Sequence, residues 1–326
     1  TSWITKKVFS NKGGLFNRDT DRIYLEPFTL KETEEFLNRR QICLTRKDIA
    51  ECYMIMGGIP YYLDKIEKGM SFSQNIDNIF FKKRARLWDE FTHLYASLFD
   101  NPEPHLKIVK ALNTKRSGLT RNEISEATKI PANGNLTRVL KELEDSGFVL
   151  SYKDWMKAKK GNIYRLSDFY TIFYLDFVQE NYGDDENFWT NRIDSSMHRA
   201  WTGFSFELLC MNHISQIKAA LGISGVATRQ CSWRGEDKSG KRSQIDLLID
   251  RRDGVIDLCE AKFASGLYSI TKGYESELVD KIEVFRNVTK TNKSIHLVMV
   301  TTFGLSANSH TSHVQNSITL DDLFLH

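Results

Sequence analysis

Apolar residues recur at helical spacing through most of the chain, and strand-like runs become frequent only in its last third. Trp201, Phe204, Leu208 and Met211 form one helical stripe, and Glu207 falls inside it. A carboxylate on an inward face is costly unless it is paired or binds an ion. Residues 243–250 and 254–263 read as strands around Arg251-Arg252-Asp253-Gly254, a hairpin turn, which predicts antiparallel pairing. Strict alternation places Glu260 and Lys262 on one face, and Asp246 opposite Ile245, Leu247 and Ile249. A helix is expected from Tyr274 to Asn287, with Leu278, Ile282 and Phe285 inward, then a buried strand from Ser294 to Thr302.

Upstream, Leu106 to Leu112 reads as a helix, and Thr120-x-x-Glu123 is a capping box opening a second one through Ala127. A third carries Leu136, Val139, Leu140 and Leu143 and stops at Gly147. Two β-prone runs, 148–152 and 163–166, flank a lysine-rich tip. Nearer the start, Thr29-x-x-Glu32 caps a helix through Asn38, and a second helical stretch ends at Gly57-Gly58-Ile59-Pro60.

Composition is that of a globular protein, with 41% hydrophobic and 27% charged residues. Net charge is only +3, but residues 105–165 carry 13 Lys/Arg against 6 Asp/Glu, so the positive charge is local. Five widely spaced cysteines and no Cys-x-x-Cys pair point to a reducing cytoplasm, without disulfide framework or zinc site. His310-x-x-His313 reads as a solvated loop. No apolar run is long enough for a bilayer, so no membrane partner is expected. The opening Thr1-Ser2-Trp3 reads as the start of a fragment whose N-terminal part is missing.

Two carboxylates and an ammonium converging from adjacent strands suit phosphodiester hydrolysis. Mg²⁺ (or Mn²⁺) takes one or two carboxylates plus waters and phosphate oxygens. The metal activates water and stabilises phosphoryl charge, with the lysine assisting. The order Glu207 on a helix, Asp246 on a strand, then Glu260-x-Lys262 resembles the PD-(D/E)XK nuclease superfamily, with Ile245 in place of the usual proline. The resemblance implies a restriction-endonuclease-like α/β fold with Glu207, Asp246 and Glu260 as metal ligands and Lys262 catalytic. The alternative is that these charges sit on a solvated sheet face. Glu236-Asp237-Lys238 is a decoy triplet in a polar loop.

Helix, helix-turn-helix and a two-stranded wing make the basic segment resemble a winged helix-turn-helix. That fold implies contact with double-stranded DNA by Asn133, Asn135, Thr137, Arg138 and Lys141 on its third helix, and by Lys157, Lys159 and Lys160 on the wing. Glu142, Glu144 and Asp145 are read as an acidic far end of that helix, and a protein-packing role remains open. With Gly-Gly-Ile-Pro and Arg18 in the N-terminal part, the whole resembles prokaryotic AAA+-related P-loop ATPases that carry a winged helix and a C-terminal nuclease-like domain. Arg18 is then either a sensor reaching a nucleotide or a surface arginine beside Asp19 and Asp21. Neither Walker motif is present; Gly235 to Arg242 is a near match best read as a hairpin loop, so ATP is expected only with a missing P-loop part. The expected architecture is α/β and multidomain: end of an ATPase core and helical lid over 1–72, linking helices over 73–104, winged helix-turn-helix over 105–180, and a nuclease-like domain over 181–326. The resemblance also leaves open a homo-oligomer through the ATPase core.

Overall fold

The computed structural model describes residues 25–153, 155, 162–181 and 183–325. It is mixed α/β, with a three-stranded and a five-stranded sheet. Two helices lead, α1 (Leu30–Arg39) and α2 (Arg46–Met56). The Thr29 capping box starts α1, and Gly57, left-handed at φ 69°, ends α2. Helix α3 (Glu90–Leu98) follows three short helical segments, Pro60–Leu63, Phe72–Ile76 and Asp77–Phe81.

Next come α4 (Glu103–Thr114), β1 (Leu119–Thr120), α5 (Arg121–Thr128), α6 (Gly134–Asp145), β2 (Val149–Lys153) and β3 (Asn162–Leu166). The strands form an antiparallel sheet in the order β1-β3-β2. Thr120 completes its capping box with Glu123, and Leu136, Val139, Leu140 and Leu143 are buried along one side of α6. The two-residue strand β1 was not legible in the sequence, being too short to show alternation.

The C-terminal part comprises α7 (Ser196–Asn212), α8 (Ile214–Ala220), β4 (Thr228–Glu236), β5 (Arg242–Arg251), β6 (Val255–Lys262), α9 (Lys272–Thr289), β7 (Ser294–Thr301) and β8 (Val314–Thr319). Its sheet runs β4-β5-β6-β7-β8, antiparallel across the first three strands and parallel from β6 to β8. Glu236 pairs with Arg242, so the glycine-rich near match is a hairpin loop as read. Leu247, Ile249, Cys259, Val298 and Val300 belong to one core, with α7. Ile256, Leu258, Leu297 and Met299 belong to the other, with Leu278 and Phe285 of α9. Strand β7 is buried on both faces, which is why its sequence is almost unbroken apolar.

The α7-side core is continuous with the N-terminal helices. Phe169, after β3, meets Tyr53 of α2 edge-on, Tyr170 packs at a tilt against Tyr62, and Phe173 meets Trp201 of α7. The small sheet also touches the large one: the Trp155 backbone N–H donates to Ser232 O at 3.2 Å, and its ring meets Phe285. Among the described residues, no helix is long and apolar enough to cross a membrane.

Candidate active site

Strict alternation along β5 fails, and the failure shapes the site. Cys231 pairs with Leu248 but Trp233 with Ile245, so Asp246 and Leu247 together face the single residue Ser232. This is a β-bulge, a device that re-aims side chains and recurs beside active sites. Ile245 and Leu248 therefore join the same α9-side core, while Asp246 and Leu247 line one cavity. The expectation that Asp246 stands opposite Leu247 is thus corrected.

Pairing between β5 and β6 ends at Leu247 with Cys259. Asp246 and Glu260 are the next positions in that register, where the strands part. A small cavity of about 10 Å³ opens there, the space of about one water. Glu207 of α7 lines it with Asp246, Glu260, Cys210 and Cys259. Burial pushes both thiols up, so these cysteines are neutral and inert.

The charges act on one another. Burial first, then the neighbouring Asp246 and Glu260 carboxylates, raise Glu207 to about 7, while Arg165 and Lys262 pull against them. Arg165 comes from β3 of the small sheet and is buried. Its Nη2 lies 3.7 Å from Glu207 Oε2 and its Nη1 3.6 Å from Asp246 Oδ1. Glu260 faces α9: Lys281 Nζ donates to its Oε1 at 2.5 Å and the Tyr274 hydroxyl to its Oε2 at 3.1 Å. Burial, then Glu260, push the Tyr274 hydroxyl up, so it stays a donor. Lys262 Nζ lies 4.5 Å from the centre of the Tyr274 ring, a cation–π contact. Asp246 also lines a wider cavity of about 380 Å³ beside Lys241, Asp280 and Lys281.

Sequence reading missed Arg165, Tyr274 and Lys281. Lys281 is seven residues from Tyr274, on the stripe of Leu278 and Phe285, so a cation on an inward face was a readable signal. Arg165 shares a strand face with buried Ile163, but its partners lie in another part of the chain.

Hard carboxylate oxygens are the right donors for Mg²⁺ or Mn²⁺, and Mg²⁺ needs only one or two of them. Glu207 and Asp246 would supply these, with Glu260 at the strand junction. As placed, each carboxylate already faces a protein cation or donor. Among the described residues no three His, Cys, Asp or Glu side chains cluster tightly enough to hold a metal ion. His310 and His313 both turn to Glu275, at 2.6 and 3.7 Å.

Asn133, Asn135, Thr137, Arg138 and Lys141 are all exposed at the start and along the outer side of α6. The Asn133 side chain accepts from the Asn135 N–H, and Arg138 is held by Glu142 at 2.9 Å and Asn135 at 2.9 Å. Glu142 is not part of an acidic surface as expected from sequence; it is buried against His105 at 2.9 Å. Lys157, Lys159, Lys160 and Arg18 lie outside the described residues.

The chain is similar to the uncharacterized protein MJECL04 of Methanocaldococcus jannaschii, 24% identical over 220 residues. That stretch is 66% of this chain and 48% of the relative, so the match spans about half the relative's length. No family model and no solved structure matches.

Proposed function

We propose that the chain binds duplex DNA through the α4–α6 unit and cleaves phosphodiester bonds with Mg²⁺ at the Asp246–Glu260 junction, as the DNA-processing part of a P-loop ATPase. The reading rests on one observation above the others: a bulge and a strand divergence bring Asp246 beside Glu207 from α7, and beside the Glu260-x-Lys262 strand. Four charged side chains separated in sequence by up to 55 positions act on one small volume. Asp246 and Glu207 would hold the ion, Lys262 would offset charge on the phosphoryl oxygens, and Lys281 and Tyr274 would orient Glu260. Support for DNA docking is the three helices around the β1-β3-β2 sheet, an order compatible with a winged helix-turn-helix, and the exposed polar and basic side of α6.

A second reading has its own observation. Arg165 and Lys281 balance the carboxylates within the protein, as in a nuclease-like unit that regulates without cutting. A cleavage assay on linear and branched duplexes with Mg²⁺ or Mn²⁺ separates the two. Cleavage lost in Asp246→Ala and retained in Glu236→Ala supports the nuclease; no cleavage by wild type on any substrate supports the regulator.

A further inference from the structure

Arg165 belongs to the small sheet by sequence, and its guanidinium faces Glu207 and Asp246, two of the carboxylates that line the cavity. It is 1% exposed. Its contacts to Glu207 and Asp246, at 3.7 and 3.6 Å, are longer than hydrogen bonds and lack the parallel fork that arginine makes with carboxylates. Nη1 instead meets Met211 Sδ at 3.3 Å, a weak acceptor, and the buried Nε has no hydrogen-bond partner among the described residues. Below the guanidinium lies the Phe204 ring, 4.9 Å from Cζ, which Arg116 also approaches at 4.5 Å. Arg116 is itself bound to Asp176 at 2.6 Å and so is not the carboxylates' counter-charge.

A charge this buried persists only with compensation, and its compensation is the pair of carboxylates assigned above to a divalent ion. The cavity beside them holds about one water, whereas Mg²⁺ keeps several. A hydrated ion held by Glu207 and Asp246 needs more room than that and competes with the Arg165 head for the same two carboxylates.

We propose that Arg165 is a built-in counter-ion of the cavity: it occupies Glu207 and Asp246 in the metal-free protein and is displaced when a divalent cation enters. The loose geometry and orphaned Nε are what a displaceable partner shows. Since Arg165 sits on β3, between β1 and β2, metal entry is thereby coupled to the sheet of the DNA-docking unit. The inference rests on reading the cavity as a divalent-cation site, and its test does not depend on cleavage.

Mn²⁺ titrations of wild type, Arg165→Lys and Arg165→Met, followed by the paramagnetic resonance of free Mn²⁺, measure the competition. Arg165→Met is expected to bind more tightly by about 5- to 150-fold, the usual span of coupling between two sites, with Arg165→Lys between. Since removing one partner of a buried pair can unfold the chain, a second measurement uses wild type alone. With ¹⁵N-labelled arginine, the Arg165 Nε–H, identified by its absence in Arg165→Lys, exchanges slowly without metal and faster as Mg²⁺ is added. Equal Mn²⁺ affinity in wild type and folded Arg165→Met, or exchange that Mg²⁺ leaves unchanged, overturns the proposal. Tighter Mn²⁺ binding without DNA cleavage removes the nuclease reading and keeps the counter-ion; cleavage without the tightening does the reverse.

Discussion

Acidification from pH 7 to pH 5 should weaken the fold through His213, a residue outside the candidate site. Its Nδ1–H donates to Leu209 O at 3.0 Å, and its bare Nε2 accepts the Leu30 N–H at 3.1 Å, at the first turn of α1. The ring is 2% exposed and packs edge-on against Tyr53 at 5.2 Å, so a proton on Nε2 would find no water and would break the Leu30 bond. Burial, opposed by the Leu209 carbonyl, brings its pKa down to about 4. In the unfolded chain the value is about 6.5. The unfolded state therefore takes the proton first. Stability is full above about 6.5, falls as pH drops below it, and has lost its whole share below about 4. That share is about 3 kcal/mol, and about 2 kcal/mol of it is lost by pH 5. Urea denaturation of wild type and His213→Gln at pH 7 and pH 5 measures it, because the glutamine amide can accept from Leu30 but does not titrate. Buried Asp77 and half-buried Asp168 are pushed up by desolvation and act in the opposite sense, but they are common to both proteins and cancel in the comparison. Wild type should lose about 2 kcal/mol more than the variant between the two pH values. Equal losses would mean that the imidazole is not held neutral, and the argument would fail.

Gly58→Ala should cost about 2–5 kcal/mol, since φ is +66° and the new Cβ would lie 2.3 Å from Phe28 O and 2.6 Å from Tyr53 Cε2. Gly69→Ala, at φ +84° with nothing among the described residues within 4 Å, should cost only the backbone strain of about 1–2 kcal/mol; thermal melts that rank the two otherwise refute the packing argument. In the cleavage assay Asp246→Ala and Glu260→Ala should be inactive, and Lys262→Ala should keep metal binding while turnover falls by about 10²-fold or more. An unaltered rate in Lys262→Ala would remove its electrostatic role. Replacing Lys157, Lys159 and Lys160 with alanine should weaken binding to all duplex sequences and flatten the log–log salt dependence by about 0.9 per lost phosphate contact. Arg138→Ala should change sequence preference more than affinity for random DNA; an unchanged salt slope in the triple variant would put the DNA surface elsewhere.

Local rules carried the secondary structure. Side chains that satisfy helix ends lie within three or four residues of the groups they cap, so Thr29 with Glu32, Thr120 with Glu123, and Gly57 after Met56 could be read directly from the chain. The apolar stripes of α6 and α9 and the buried run of β7 were legible for the same reason: periodicity is a property of consecutive residues. Glu207, Asp246, Glu260 and Lys262 were legible as residue types in a meaningful order. Their arrangement was not. The bulge at Asp246 exists because β4 offers one residue against two, and neither strand announces that alone. Glu142 reads as a surface acid until His105, 37 positions away, is placed against it. Arg165 is 42 positions from Glu207 and 81 from Asp246, and only the docking of one sheet beside the other decides which charge balances that pair. Electrostatic pairing depends on distance in space and on burial, both set by tertiary packing, so the counter-ions of the site are the part of this protein that the chain by itself leaves undetermined.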